Sequence, residues 1–454
     1  ILTQEFKALL IGAKSKPSFM FNLKFSRTME NIQWSFISLA SASFAHLMLR
    51  ILLSRELGPS GLGLYTLVFT IYMFGMQFAG FGIGAALTQY IAQRHDNIMK
   101  IQDYVIAGII GSLFSSSVTG ILLYLLSYTI SIYFFNMPEM IDLLRITAFC
   151  FPFIAIQKVA LGTLNGLQKI KLYAVINIAQ NIAVLLFSVI FVFWLEMNVI
   201  GAILGFVLPT ILIGLISLAT LKEFFIGFPK KLGIFLKEIS WFGFYIVLAQ
   251  SIGMVNLQID SLLIGRFLGE IEVGYYAVAA IFMQGIILLA QAIQIVTTPS
   301  IAVLYAKRDF INIRALINKT MLKVFVVTLC ISAFLAIFGK FIIIIIFTEE
   351  FLPSFMPMTI LLIGYTIYSA FVSIGTCLIS IGKVQIVFKI SILCAIFSTL
   401  LNVILIPKFG LVGAASATST SLIFTTLINL YFINYYIMES EPIRVDNELS
   451  NETL

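Results

Sequence analysis

Three ionisable side chains stand inside long apolar stretches of this 454-residue sequence: Arg50, Lys158 and Asp260. A charge within a bilayer is costly, so such residues usually face a wet cavity or pair with one another. The two cations have the chemistry to bind a phosphate or pyrophosphate, and Asp260 could pair with Arg50 or hold a coupling ion or proton. Lys389, near the start of another apolar stretch, is a further phosphate-binding candidate. The alternatives are a structural ion pair of Arg50 with Asp260, or cations that only set the topology or extend to the interface.

Amide side chains are the second group with binding chemistry. Gln250 and Asn256 precede Asp260 on the same stretch, and Gln284 and Gln291 are seven residues apart, which places them on one face of a helix. Because amides both donate and accept hydrogen bonds, they suit the hydroxyl groups of a sugar. We therefore predict that these four amides line a polar cavity; hydrogen bonding between helices is the alternative role.

Catalytic, metal-binding and cofactor chemistry finds no support in the sequence. Cys150, Cys330, Cys377 and Cys394 lie in apolar runs without CxxC spacing, and there are only two histidines. No DxD motif occurs, and the glycine-rich run at 75–85 lies in an apolar stretch and not in a βαβ unit. We expect no catalytic residue, no metal site and no cofactor.

The elements that must position these side chains are membrane-spanning helices. The chain is 60% hydrophobic and only 11% charged, whereas a soluble domain has about 25% charged residues. Its mean hydropathy is +1.05. A spanning helix needs about 20 mostly apolar residues. The sequence predicts an all-α polytopic membrane protein with about twelve such helices, near 32–53, 64–92, 104–135, 141–165, 172–195, 199–221, 241–264, 273–304, 320–347, 355–381, 384–406 and 411–437.

The positive charges predict the orientation of these helices. Of the 28 lysines and arginines, 21 fall in segments on the side of the N-terminus, five fall on the opposite side, and two lie within spans. Because cytoplasmic loops are enriched in Lys and Arg, both termini are predicted to be cytoplasmic. Topology thus explains the net charge of +7, and no nucleic-acid partner is expected.

Two related halves are visible in the sequence. LSRELGPSGLGLY at 53–65 matches IGRFLGEIEVGYY at 264–276 at an offset of 211, and VIGA at 199–202 matches LVGA at 411–414 at an offset of 212. Six helices per half make the repeats parallel, and such repeats form two lobes around a central cavity. The predicted organisation is a cytoplasmic N-terminal segment at 1–28, an N-lobe at 29–221, a cytoplasmic linker at 222–240, a C-lobe at 241–437 and an acidic cytoplasmic tail at 438–454.

Three segments resemble a known family. SRELGPSGLGLYTLVFTIYMFGMQFAGFGIGAALTQYIA at 54–92, GLQKIKLYAVINIAQNI at 166–182 and NVILIPKFGLVGAASATSTS at 402–421 resemble polysaccharide-biosynthesis flippases of the multidrug/oligosaccharidyl-lipid/polysaccharide exporter superfamily. The resemblance implies alternating-access transport of a polyprenyl-linked oligosaccharide across the cytoplasmic membrane of a prokaryote. One departure is Gln89, where family members often carry Arg, which puts a headgroup role for that position in doubt.

Other functions remain open at this stage. A cation-coupled multidrug antiporter of the same superfamily would need acidic cavity residues, for which Asp260 is the one candidate. A membrane glycan polymerase or glycosyltransferase would need a sizeable aqueous loop with paired carboxylates, and the predicted outer loops are short. The expected partners are the bilayer and the lipid-linked oligosaccharide. The chain is expected to be a monomer that could associate with other glycan-assembly proteins.

Overall fold

The structure is a computed structural model that describes residues 27–94, 97–225, 227 and 231–440. Within these ranges every regular element is helical and no strand occurs. Most of the predicted N-terminal segment at 1–28 and of the tail at 438–454 lies outside the described residues. The predicted cytoplasmic position of the termini and the boundaries of the lobes and linker therefore stay predictions.

Nine of the described helices are long and apolar enough to cross a membrane, and a bent pair at Met140–Ala148 and Phe151–Gly166 forms a tenth crossing. Two of the nine, Arg27–Gly80 and Val384–Ser440, contain 54 and 57 residues. A straight helix of that length would extend about 80 Å, far beyond the roughly 30 Å of a hydrocarbon core.

Each of these two long helices folds back on itself at a glycine with positive φ, Gly58 (64°) and Gly410 (59°). The rings of His46 and Phe69, on opposite sides of Gly58, are 6.3 Å apart. Phe397 and Phe424 flank Gly410, and their ring centroids are 4.4 Å apart. Such contacts are possible only in hairpins, so each long helix contributes two crossings, and the described residues contain the twelve that were predicted.

The twelve crossings are labelled here in chain order. They are α1 (27–57), α2 (59–80 followed by Ile83–Gln93), α3 (Ile98–Phe135), α4 (Met140–Ala148 with Phe151–Gly166), α5 (Ile170–Trp194), α6 (Asn198–Thr220), α7 (Leu232–Phe267), α8 (Glu270–Ala306), α9 (Phe310–Ile346), α10 (Glu349–Ser380), α11 (384–409) and α12 (411–440). The turn at Gly58 and the end of α7 lie at one end of the bundle, called here the outer end after the orientation predicted from the charges.

Local sequence explains the interruptions within crossings. Pro152 stands in the first turn of the second half of α4, where its missing N–H costs nothing, and the two halves of α4 meet at 43°. In α2 the backbone breaks at Phe81 and Gly82, both with positive φ. Gly82 lies against Gly243 of α7, where a Cβ on Gly82 would stand 2.6 Å from the Gly243 carbonyl oxygen. The N-terminal part of α7 therefore packs on α2, and residues 232–240 of the predicted linker are helical.

The two repeats contact each other through equivalent positions. Gly58 and Gly269, 211 residues apart, both have positive φ at the outer turn of their repeat. A Cβ on Gly63 would lie 1.7 Å from the Glu270 carbonyl oxygen, and a Cβ on Gly274 would lie 2.0 Å from the Pro59 carbonyl oxygen. Because Gly63 is equivalent to Gly274 and Pro59 to Glu270, the same contact occurs twice. This reciprocity is what a two-fold axis between parallel repeats produces, and it makes α2 and α8 the closest junction of the lobes at the outer end.

Candidate functional site

A cavity of about 220 Å³ lies between the lobes in the inner half of the bundle. The later parts of α2 and α4 and the start of α5 contribute twelve of its thirteen lining residues, and Gln250 of α7 is the one from the C-lobe. Its polar lining consists of Gln77, Thr88, Lys158, Asn165, Tyr173 and Gln250. Two of the predicted site residues, Lys158 and Gln250, are thus brought together although 92 positions separate them in the sequence.

The side chain of Lys158 reaches this cavity by passing two glycines of α2, Gly80 and Gly84, which have no side chain to block it. Its Cδ lies 3.0 Å from where a Cβ on Gly80 would stand, and its carbonyl oxygen is 2.7 Å from the equivalent point on Gly84. Among the described residues no hydrogen bond or ion pair involves the Lys158 ammonium group. The glycines of α2 therefore allow α4 to pack closely while leaving a cation available to a ligand in the cavity.

Arg50 occupies a separate position on α1. Its guanidinium interacts electrostatically with His46, one turn earlier, and with Tyr65 of α2. The ion pair with Asp260 that the sequence left open does not form, since Asp260 is hydrogen-bonded to Tyr276, Thr418 and Asn402 and has no ion pair with Arg50. The hypothesis of a structural Arg50–Asp260 pair is wrong because Asp260 is committed to other partners.

Asp260 is buried in the C-lobe within a network of three side chains. Its Oδ2 accepts hydrogen bonds from the Tyr276 hydroxyl at 3.0 Å and from Thr418 Oγ1 at 2.7 Å. Its Oδ1 accepts from Asn402 Nδ2 at 2.8 Å. The Asn402 side-chain oxygen is buried and has no partner. A carboxylate from α7, a hydroxyl from α12 and the amide group of Asn402 from α11 therefore meet here, and carboxylate oxygens are ligands of the kind that a hard cation binds.

The N-lobe has no counterpart of this network. At offsets of 211 and 212, Asp260 corresponds to Leu49, Tyr276 to Tyr65 and Thr418 to Phe206. Leu49 is buried in the apolar core, and the rings of Tyr65 and Phe206 are 6.2 Å apart in an edge-on contact. The second and last helices of each lobe thus touch at equivalent positions. In the N-lobe the contact is between two aromatic rings, Tyr65 and Phe206, and in the C-lobe it is a hydrogen bond between the hydroxyls of Tyr276 and Thr418.

The remaining predicted site residues lie outside the cavity. Asn256 donates to the Ser391 carbonyl oxygen at 3.3 Å, as in the interhelical alternative. Gln284, Gln291 and Lys389 are exposed, and their assignment to substrate binding stays a prediction. Sequence reasoning did not assign Thr88, Asn165 and Tyr173 to the cavity, and it did not single out Gln77 among the amides of the apolar stretches.

The fold and this site define a two-lobed helical membrane protein with a polar cavity between its lobes. The model of the family described as "Polysaccharide biosynthesis protein" matches residues 28–305, and the chain belongs to this family. An uncharacterized membrane protein of Methanocaldococcus jannaschii is 22% identical over 428 residues, which cover 90% of this chain and 84% of that protein.

Two further likenesses extend over most of the chain. A putative O-antigen transporter of Shigella flexneri is 22% identical over 387 residues, covering 83% of this chain and 90% of the relative. The solved structure described as "Lipid II flippase MurJ, inward closed conformation" superimposes with a TM-score of 0.74 at 18% identity, and the match covers 90% of each chain. At this identity the structural likeness shows the fold alone, which agrees with the predicted all-α polytopic architecture.

Proposed function

We propose that this chain is a flippase that moves a polyprenyl-linked, phosphate-bearing oligosaccharide across the membrane by alternating access. The observation that carries the proposal is the cavity lined by Lys158 together with the amides of Gln77 and Gln250, where the Lys158 ammonium has no hydrogen bond or ion pair to any residue that the structure describes. The names of family relatives, among them an O-antigen transporter and a probable glycan biosynthesis flippase of Haloferax volcanii, agree with a transporter in glycan assembly.

The cavity contains a cation for the phosphate of such a lipid-linked oligosaccharide and polar uncharged groups for its sugar hydroxyls. Lys158 is a point charge suited to a phosphate or pyrophosphate. Amides and the Thr88 hydroxyl can donate to and accept from sugar hydroxyls. Arg50, further toward the outer end on α1, would meet the phosphate at a later stage of its passage. The paired Gly63 and Gly274 contacts hold the lobes together at the outer end, so that this arrangement would receive cargo from the inner side.

Asp260 is the proposed coupling site, for a proton or for a monovalent cation. Either one would neutralise a carboxylate buried among groups from α7, α8, α11 and α12, and the hydrogen bonds of Tyr276, Thr418 and Asn402 depend on its charge. Changing that charge changes the relative stability of the packing of these four helices. A ligand can shift a conformational equilibrium only through such differential stabilisation.

A cation-coupled multidrug antiporter is the second candidate, because the same carboxylate is buried in a lobe. The charge of the inter-lobe cavity favours the flippase, since Lys158 lines it and no acidic side chain does among the described residues. A cationic drug would be repelled there, whereas an anionic headgroup would be attracted.

The test is translocation by the full chain in proteoliposomes. A fluorescent lipid-linked oligosaccharide is reconstituted, and the fraction protected from a membrane-impermeant reductant is followed with and without a proton or sodium gradient. We expect protein-dependent exchange that the gradient accelerates and that Asp260→Asn makes insensitive to the gradient. Exchange at the rate of protein-free vesicles would refute the flippase, and gradient-driven efflux of an organic cation would establish the antiporter instead.

A further inference from the structure

The packing of α7 changes from one lobe to the other along its length. Its inner part, 232–242, belongs to an apolar core whose other members come from α2, α3, α4, α6 and the segment that follows α6. The members from α7 are Leu232, Phe235, Leu236, Ile239 and Phe242. Among the described residues, the inner core of the C-lobe, which extends from Ile301 to Ile437, contains no residue of α7. The inner part of α7 is therefore a C-lobe segment by sequence and an N-lobe segment by packing.

Two backbone contacts hold this inner part of α7 against α2. A Cβ on Gly243 would stand 2.1 Å from the Phe81 carbonyl oxygen, and a Cβ on Gly82 would stand 2.6 Å from the Gly243 carbonyl oxygen. Cβ atoms essentially never come this close, so both positions require glycine. Phe81 and Gly82, which both have positive φ, form the break of α2. The break therefore coincides with the place where the backbones of α2 and α7 touch.

Glu238 makes the polar contacts of the same attachment, about one and a half turns before Gly243 on α7. Its Oε2 accepts a hydrogen bond from the Tyr104 hydroxyl of α3, and its carbonyl oxygen accepts one from the Tyr90 hydroxyl of α2 at 3.5 Å. The two tyrosine rings are stacked, with centroids 5.1 Å apart. The Gly82–Gly243 and Tyr104–Glu238 contacts together are called here the inner clasp.

Beyond the inner clasp, α7 crosses to the C-lobe. Residues 248–250 are exposed, and a Cβ on Gly253 would have no neighbour within 4 Å. Asn256 then donates a hydrogen bond to α11, and Asp260 accepts one from the same helix. The residues around Gly253 thus connect a part of α7 that is attached to the N-lobe with a part that is bonded to the C-lobe.

The inner clasp has no equivalent on the other seam between the lobes. At the offset of 211, Gly243 corresponds to Ile32 and Tyr104 corresponds to Ala315. The side chain of Ile32 is 58% exposed, and alanine has no hydroxyl to donate. The attachment of α7 to the N-lobe is therefore not a consequence of the repeat, and α1 has no matching attachment to the C-lobe.

We propose that the inner part of α7 moves with the N-lobe, and that the inner clasp makes Tyr104 and Glu238 positioning residues for Gln250. When the lobes move, residues 232–250 stay with the N-lobe and α7 bends at Gly253, since glycine weakens a helix at its position. Gln250 is the one lining residue of the cavity that lies outside α2, α4 and α5. The complete cavity is then carried by one body, and a bound headgroup keeps its contacts while the lobes rearrange. The statement about the headgroup rests on the proposed function, whereas the attachment of α7 does not.

The first measurement needs no cargo and is double electron–electron resonance of the full chain in nanodiscs. The labels are at Ile234 of α7, Lys169 of the N-lobe and Ile311 of the C-lobe, all exposed near the inner end. Gly243→Leu should lengthen and broaden the Lys169–Ile234 distribution, because the backbone of α2 leaves no room for even a Cβ. Gly253→Leu is the matched control and should leave this distribution unchanged. An unchanged distribution in folded Gly243→Leu would overturn the attachment.

The second measurement shows which lobe the inner part of α7 follows. Gly63→Ala blocks the contact between the lobes at the outer end. In this variant we expect the Lys169–Ile234 distance of the wild type together with a changed Ile234–Ile311 distance. A changed Lys169–Ile234 distance with a constant Ile234–Ile311 distance would show that α7 follows the C-lobe and would overturn the proposal.

The third measurement tests the positioning of Gln250 in the translocation assay. Gln250→Ala should raise the half-saturation constant for the lipid-linked oligosaccharide about five-fold, as for loss of one hydrogen bond. Glu238→Ala should raise it no more than this, and the double variant should add nothing, because both changes act through one amide. Glu238→Gln keeps an acceptor for Tyr104 and should give nearly the wild-type constant. Additive losses would exclude the positioning role, whereas a wild type that does not translocate would refute the proposed function and leave the spin-label results valid.

Discussion

Placing a methyl group on Gly63 should force the lobes apart at the outer end. A Cβ there would stand 1.7 Å from the Glu270 carbonyl oxygen, and Cβ atoms essentially never approach closer than 3.0 Å. The obstacle is backbone on the opposite lobe, so no side-chain rotation relieves the contact. Gly63→Ala therefore requires a displacement of at least about 1.3 Å between α2 and α8.

A two-lobed transporter alternates between a state with a closed outer end and a state with an open outer end. The displacement raises the free energy of the closed state only, because the Gly63 contact exists only there. Overpacking of a close contact costs about 1–3 kcal/mol, which corresponds to a shift of about five- to 150-fold in the equilibrium between the states. Gly274→Ala should act in the same direction, because its Cβ would meet the Pro59 carbonyl oxygen at 2.0 Å.

The assay is double electron–electron resonance between spin labels at Glu139 of the N-lobe and Met356 of the C-lobe, both exposed near the outer end. We expect Gly63→Ala to move the distance distribution toward longer values. Gly285→Ala is the control, since it also changes a glycine of α8 but its Cβ would have no neighbour within 4 Å. An unchanged distribution in a folded Gly63→Ala protein would refute the claim that this contact holds the outer end closed.

The remaining predictions concern single side chains. Lys158→Ala should raise the half-saturation constant for the lipid-linked oligosaccharide about ten- to 100-fold, and Lys158→Arg should restore part of the loss. Equal half-saturation constants for wild type and Lys158→Ala would show that Lys158 does not bind the phosphate. Thr418→Val removes a 2.7 Å hydrogen bond to the buried carboxylate and should lower the free energy of unfolding by about 1–3 kcal/mol; Thr426→Val, whose hydroxyl bonds only to its own helix, should cost less, and equal losses in thermal unfolding would contradict the network. Arg55→Gln should lengthen the outer spin-label distance because two bonds to α9 are lost, whereas Arg266→Gln, at the equivalent position of the second repeat, should not; the reverse result would exclude this difference between the repeats.

The periodic and compositional features of the sequence were sufficient to predict the crossings. Each apolar run had to satisfy its own backbone hydrogen bonds in a bilayer, which permits only helices. The repeat could also be found, because Gly58 and Gly269 need a backbone conformation that other residues rarely adopt. Hydropathy carries no information on backbone breaks inside an apolar run. The interruption at Phe81 and the π-helical end of α3 therefore could not be predicted.

The candidate site was less accessible to prediction because its parts are distant in sequence. Asp260 stood out as a charge in an apolar run, but Asn402 and Thr418 lie 142 and 158 positions further on. Nothing in the local pattern relates a threonine on α12 to a carboxylate on α7. Arg50 and Asp260 occupied nearly equivalent positions in the two repeats, which suggested a pair. In the structure each contacts residues of its own lobe, because a polar pocket beside Asp260 satisfies the carboxylate locally.

Positions that differ between the two repeats indicate which residues serve ligand binding, and positions that are the same in both indicate which residues join the lobes. The contacts that join the lobes are conserved in both halves, because Gly63 and Gly274 each allow the close approach that the other requires. Chemistry has instead diverged at equivalent positions: Leu49 and Phe206 build an apolar core where Asp260 and Thr418 build a buried polar site. Arg55 and Arg266 diverge in the same way: Arg55 is bonded to backbone, whereas Arg266 lies over the Phe134 ring and has no hydrogen bond to any described residue. If the shared contacts control the movement of the lobes and the diverged residues bind ligands, substitutions at Gly63 and Gly274 should change only the equilibrium between the open and closed states. Substitutions at the diverged positions should instead change which ligands shift that equilibrium.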